Sequence, residues 1–180
     1  MNEEETRESL RRFIREWQDL IGADPQKLSL IERVDQPDGT KTATYEHRPF
    51  RYPIRGRYGR LDIRFTNDRR VLNLSSTCIA DAERIQSALA AITIQIQPPD
   101  LITRLRNAPV TYKNVAGTDV TFSIAPSSEV NVRELVTYIL PSTENTDALE
   151  FHVAWEVELT GAQVKRVYID AVNGDVIAAE

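Results

Sequence analysis

Leu10, Phe13, Ile14, Trp17, Leu20 and Ile21 recur at three- and four-residue intervals with Glu and Arg between them, which predicts an amphipathic helix over residues 5–21 that Gly22 closes. Pro25 then leads into a short apolar piece, Leu28-Ser29-Leu30-Ile31, and Pro37-Asp38-Gly39 reads as a turn. The pattern changes to period two beyond it. A strand is expected over residues 40–48, and Pro53 and Gly56 mark the next turn. In the stretch 58–65, Leu61, Ile63 and Phe65 share one face while Tyr58, Arg60, Asp62 and Arg64 share the other. Asn67-Asp68 turns the chain again into Val71–Ser75, so residues 40–75 read as an antiparallel meander.

Asp81 is placed to cap a second helix through Ile92, whose Ala82, Ile85, Leu89 and Ile92 form an apolar stripe expected to cover a sheet. Residues 93–131 give a weak pattern: Pro98-Pro99 breaks the chain, Leu101–Leu105 suggests a helical turn, and Val120–Ile124 a strand. From Leu149 to Leu159 apolar and polar positions alternate without a break, which predicts a strand with one dry face carrying Trp155. Val167–Val172 follows, and Asn173-Gly174 is the preferred pair for a two-residue turn with positive φ, returning into Val176-Ile177. With a strand over Arg133–Leu140 these segments make a four-stranded antiparallel unit. The fold class is therefore α+β, with two meanders each packed on a helix: residues 1–78, and residues 79–180 with an insertion at about 93–131.

Length and charge narrow the function. A chain of 180 residues with 41% hydrophobic content buries one sizeable core or two adjoining small ones. A net charge of −5 argues against nucleic-acid binding as a global property. Cys78 is the one cysteine, so no internal disulfide forms. No apolar run is long enough to span a bilayer, and the acidic opening Met1–Arg7 lacks the basic and apolar regions of a signal peptide.

Few residues invite chemistry. His47 and His152 each lie near a glutamate, but there is no His-Glu-x-x-His, and both are read as solvent-facing strand residues rather than metal ligands. Cys78, Ser75 and Ser76 have no base at recognisable spacing, and Cys78 is read as a small buried residue. Catalytic, cofactor and metal residues are assigned to none of the chain. Arg55, Arg57, Arg60 and Arg64, in a wider run from Arg48 to Arg70 interleaved with aromatics, are possible anion-binding residues. The competing reading pairs Arg60 and Arg64 with acidic residues of neighbouring strands such as Glu46. Trp17 and Trp155 are expected in the core, each indole N–H seeking a partner. Asp170 is expected to accept backbone hydrogen bonds around the Asn173-Gly174 turn, a structural role.

Particular words in this order resemble a known pair of domains. Leu10-Arg11-Arg12-Phe13, Tyr45-Glu46-His47, Tyr52-Pro53-Ile54-Arg55-Gly56 and Gly59–Ile63 look like the fungalysin/thermolysin propeptide domain. Leu135–Ile139, Ala154–Val157 and Val167–Ile177 are similar to PepSY, with the aromatic-x-Asp-Ala-x-x-Gly-x-Val order as the more specific part. The stretch between the second helix and Leu135 departs from PepSY, which does not require it. The resemblance implies a non-catalytic module that binds a thermolysin-like metalloprotease, inhibiting it or assisting its folding, in an extracytoplasmic setting without a cofactor. As no protease follows Glu180, the chain is expected to be a piece of a longer precursor or a relative acting in trans. Two further readings stand beside this one: a free-standing extracytoplasmic domain binding another protein or ligand, and polyanion binding through the Arg48–Arg70 run.

Overall fold

The computed structural model describes residues 3–48, 50–114, 117–142, 145 and 147–180. Met1 and Asn2 of the acidic opening, and Val115 and Ala116 of the 93–131 stretch, lie outside the described residues. The fold is mixed α+β with antiparallel sheets, in two units: one runs to Gln86 and the other from Ser87 to Glu180.

In the first unit the expected single helix is two. Helix α1 spans Glu3–Glu16 and α2 spans Gln18–Ile21, with the break at Trp17. Gly22, at φ 81°, ends α2 and donates its N–H to the Gln18 carbonyl, a left-handed cap that glycine adopts without Cβ strain. Leu10, Ile14 and Ile21 are buried, whereas Trp17 is 46% and Leu20 71% exposed. The break turns Trp17 and Leu20 away from the sheet, so Trp17 lies tilted against Phe13 with ring centroids 6.3 Å apart instead of entering the core.

The short piece after Pro25 is the start of a full strand. β1 (Leu28–Asp35) pairs with β2 (Lys41–His47) across the Asp38-Gly39 turn. After the two-residue β3 (Ile54–Arg55) come β4 (Arg60–Phe65) and β5 (Val71–Ser76), giving an antiparallel sheet in the order β1-β2-β4-β5. Ala43, Tyr45, Leu61, Ile63 and Phe65 alternate onto the face that packs on Leu10 and Ile14 of α1. Leu61, Ile63 and Phe65, the positions the alternation assigned to one face of β4, are all buried.

Helix α3 (Ala82–Ala90) follows Asp81. Asp81 sits at φ 56°, and its backbone carbonyl accepts the Arg84 and Ile85 N–H groups. That positive φ is not the extended backbone of the expected N-cap, and the Asp81 carboxylate lies 3.8 Å from the Arg84 guanidinium.

The second unit corrects the reading of residues 93–131. Pro98 and Pro99 do not break the chain; they occupy the first turn of α4 (Pro98–Asn107), where a missing N–H costs nothing and φ is already helical. A hairpin of β6 (Val110–Lys113) and β7 (Asp119–Phe122) follows. The four remaining strands, β8 (Glu129–Pro141), β9 (Leu149–Thr160), β10 (Arg166–Asp170) and β11 (Val176–Ala179), pair in sequence order as an antiparallel meander. Leu101 and Leu105 of α4 join Val157, Leu159, Val167 and Ile169 in one buried cluster. Thus α4 covers one face of this sheet, a covering role expected of the helix over residues 81–92.

Neither face of the sheet is wet throughout. Val136, Tyr138, Ala154, Tyr168 and Ala178 form a second cluster on the opposite face, where Tyr138 and Tyr168 lie 4.5 Å apart by ring centroid. A bulge between Val132 and Leu135 reverses the phase of β8: Val130 and Val132 face α4, whereas Val136 and Tyr138 face away. No helix among the described residues is long and apolar enough to cross a membrane.

Candidate functional site

The β10–β11 connection is dense in side-chain hydrogen bonds. It is longer than the two-residue turn expected from Asn173-Gly174. The chain leaves β10 at Asp170 and re-enters at Val176, and Asp170 N–H donates to the Asp175 carbonyl at 2.8 Å. Only Gly174 takes positive φ, at 81°; its N–H donates to the Asp170 carbonyl at 3.0 Å, closing a single helical turn over residues 171–173. A Cβ on Gly174 would run into the Arg104 guanidinium, which reaches over from α4 to donate to the Asn173 carbonyl at 3.4 Å.

The Asp170 carboxylate organises this turn. One oxygen accepts the N–H groups of Val172 at 2.8 Å and Asn173 at 3.2 Å, and the Asn173 side-chain oxygen accepts the Asp175 N–H at 2.8 Å. The other oxygen meets His152 Nδ1 at 2.7 Å, and His152 Nε2 lies 3.7 Å from Glu150. His152 is therefore half-buried and paired rather than solvent-facing. The hydrogen bond to Asp170 raises its pKa above the ordinary 6.5, reinforced by the Asp170 and Glu150 charges, while desolvation opposes the rise. Burial alone would raise the Asp170 pKa; the His152 bond and the Val172 and Asn173 N–H groups outweigh it and hold the carboxyl below 3.8. In a carboxylate–imidazole pair that activates a nucleophile, the outer nitrogen faces a hydroxyl or thiol. Here it faces Glu150, an arrangement suited to retaining a proton.

Sequence reasoning placed Asp170 at the turn and missed His152, because the pairing of Asp170 with Ala154 across β9 and β10 is what brings the imidazole alongside. The even parity of both positions on neighbouring strands was the available signal.

The four arginines are spread over β3, the loop after it and β4. Arg55 ends β3 and donates to the Ile54 carbonyl, while Arg57 is exposed in the following loop. Arg60 lies opposite Glu46, but its guanidinium turns along its own strand to Asp62 at 3.0 Å, because Asp62 is anchored across the sheet by the Thr44 hydroxyl at 2.6 Å. Arg64 pairs with Asp38 and donates to Thr40. Arg60 and Arg64 thus already have carboxylate partners, though not Glu46. Accordingly, Arg60→Ala and Arg64→Ala are expected to leave the salt concentration at which the protein elutes from immobilised heparin unchanged; an earlier elution of either variant would instead assign these guanidinium groups to a polyanion site.

His47 also departs from a solvent-facing position. It is 6% exposed, and its Nε2 accepts the Ile79 N–H at 3.4 Å while Nδ1 is sealed without a partner among the described residues. Burial, helped by Lys27, lowers its pKa. Its ring contributes to a shallow cleft of about 540 Å³ rimmed by Asp19, Asp24, Lys27, Asp81 and Glu83. Cys78 is half-buried, and burial pushes its thiol above the ordinary value, away from nucleophilic readiness. Trp155 finds the partner its indole needs, donating to the Ile96 carbonyl at 2.9 Å. Among the described residues no three His, Cys, Asp or Glu side chains gather as a metal cage.

The architecture defines an α+β protein of two antiparallel-sheet units. No family model matches the chain, and no curated protein is significantly similar to it.

Proposed function

We propose that the chain is a non-catalytic, propeptide-like module that binds a thermolysin-like metalloprotease outside the cytoplasm, inhibiting it or assisting its folding. The observation that carries this reading is the placement of the PepSY-like words. Leu135–Ile139, Ala154–Val157, Val167–Asp170 and Val176-Ile177 lie on β8, β9, β10 and β11, four consecutive antiparallel strands of one sheet. The words that resemble the fungalysin/thermolysin propeptide domain fall in the same way on α1, β2 and β4 of the first unit.

A protein partner suits the surface. In the first unit β1 and β5 are the outer strands of the sheet, and such strands offer backbone N–H and C=O groups to an extended segment of another chain. Ile31 and Val34 on β1 and Leu72 on β5 are exposed apolar side chains beside those edges. The histidines, cysteine and arginines lack the arrangement of a nucleophile with its base, and the reading assigns no catalytic residue.

The test is refolding in trans. A thermolysin-like protease stripped of its own propeptide and denatured should recover more activity when diluted into buffer containing this protein than into buffer alone. Equal recovery with and without it, across proteases from the same genome, would remove the folding-assistant role.

A further inference from the structure

We infer that His152 and Asp170 form a proton-operated lock on the turn that joins β10 to β11. The inference holds whatever partner the chain has. It rests on connectivity: one carboxylate serves two clients, with Oδ2 against His152 Nδ1 at 2.7 Å and Oδ1 capping the Val172 and Asn173 N–H groups at 2.8 and 3.2 Å. Whatever charge the imidazole carries is therefore felt by the atom group that shapes the turn. A protonated ring makes its bond to Asp170 charge-assisted and fixes the carboxylate in the capping rotamer. A neutral ring keeps at most the Nδ1–H bond.

The groups around His152 favour the proton. Glu150 lies on the same strand at 3.7 Å from Nε2, Asp170 comes from β10, and Tyr138 stands opposite His152 on β8. Arg104 of α4 is spent on the far side of the turn, at the Asn173 carbonyl. Two carboxylates thus flank the ring, and its pKa is raised from 6.5. A raised pKa means that the stabilisation is fully present below the ordinary value of 6.5 and is lost as pH rises through the higher folded value. Asp170, lowered from 3.8, contributes above 3.8 and loses its contribution as pH falls through its own folded value. The turn is firmest between these limits and loosens as pH rises through the folded His152 value.

The experiment uses the full chain. Amide hydrogen exchange at Val172 and Asn173, corrected for intrinsic exchange, is followed from pH 5 to 9 beside an NMR titration of the His152 ring. Protection at these two amides should fall by roughly tenfold as His152 deprotonates, the scale of a charge-assisted hydrogen bond. His152→Asn, whose amide can still donate to Asp170, should fold and show protection that no longer varies with pH. Protection in the wild type that stays flat through the His152 titration overturns the lock, as does a His152 pKa at or below 6.5 or a pH response that survives in His152→Asn. The ring titration of the wild type decides the matter even if the variant does not fold.

Discussion

Phe65→Ala is expected to destabilise the first unit by about 3–5 kcal/mol, the cost of emptying an aromatic site in a packed core. Phe65 is fully buried where β4 faces α1, opposite Lys41 on β2 and Val71 on β5, and it shares its cluster with Leu10, Ile14, Leu61 and Ile63. Removing the ring leaves a void between helix and sheet that neither can close without breaking its own backbone hydrogen bonds. Since whole domains are held by roughly 5–15 kcal/mol, the variant should be near its unfolding threshold. Urea unfolding read at Trp17, which lies in the first unit, measures the loss while Trp155 reports the second. A loss below about 1 kcal/mol at Trp17 would mean that α1 does not pack on this sheet.

Leu101→Ala is expected to cost the second unit about 2–5 kcal/mol, because Leu101 is the fully buried contact through which α4 covers the sheet. The substitution separates two assignments of the covering element. If α4 is the roof, unfolding monitored at Trp155 moves to clearly lower urea. Trp155 is a sensitive reporter because its indole is tied to the Ile96 carbonyl just before α4. An unchanged midpoint would return the covering role to another part of the chain.

Period carried the reading of the strands well. β4 has one apolar residue at every second position, and a strand with that pattern has a single arrangement that buries it; β9 was expected to have one dry face, but Ala154 and Glu156 on its other face are buried as well. The meander of the first unit and the helix that covers it were legible for the same reason. Three features were hidden, each for a physical cause. Trp17 and Leu20 look continuous with Leu10, Phe13 and Ile14, yet the helix breaks at Trp17 and these two turn outward while Phe13 stays packed on the core. Pro98-Pro99 carries the same local signal whether it interrupts a chain or opens a helix, and the amphipathic residues after it decide for α4. The second apolar cluster of the C-terminal sheet depends on the β8 bulge, which reverses side-chain phase within an uninterrupted strand.

The candidate site was half legible. Asp170 was readable as the organiser of a turn because Asp accepts backbone N–H groups two and three residues on. The length of that turn was not, since Asn-Gly favours a two-residue hairpin in isolation, whereas here Asp170 and Asp175 pair and only Gly174 needs the left-handed region. His152 lies 18 residues from Asp170, and only strand pairing joins them. The arginine run looked like a patch in one dimension, but folding set Arg60 and Arg64 beside Asp62 and Asp38.

The central claim is binding to a metalloprotease, and titration of the purified protein into a thermolysin-like enzyme hydrolysing a peptide substrate tests it most directly. Hydrolysis is expected to slow in proportion to the protein added until the enzyme is saturated. Undiminished hydrolysis by every such protease encoded beside this chain, at protein concentrations well above those of the enzyme, would contradict it.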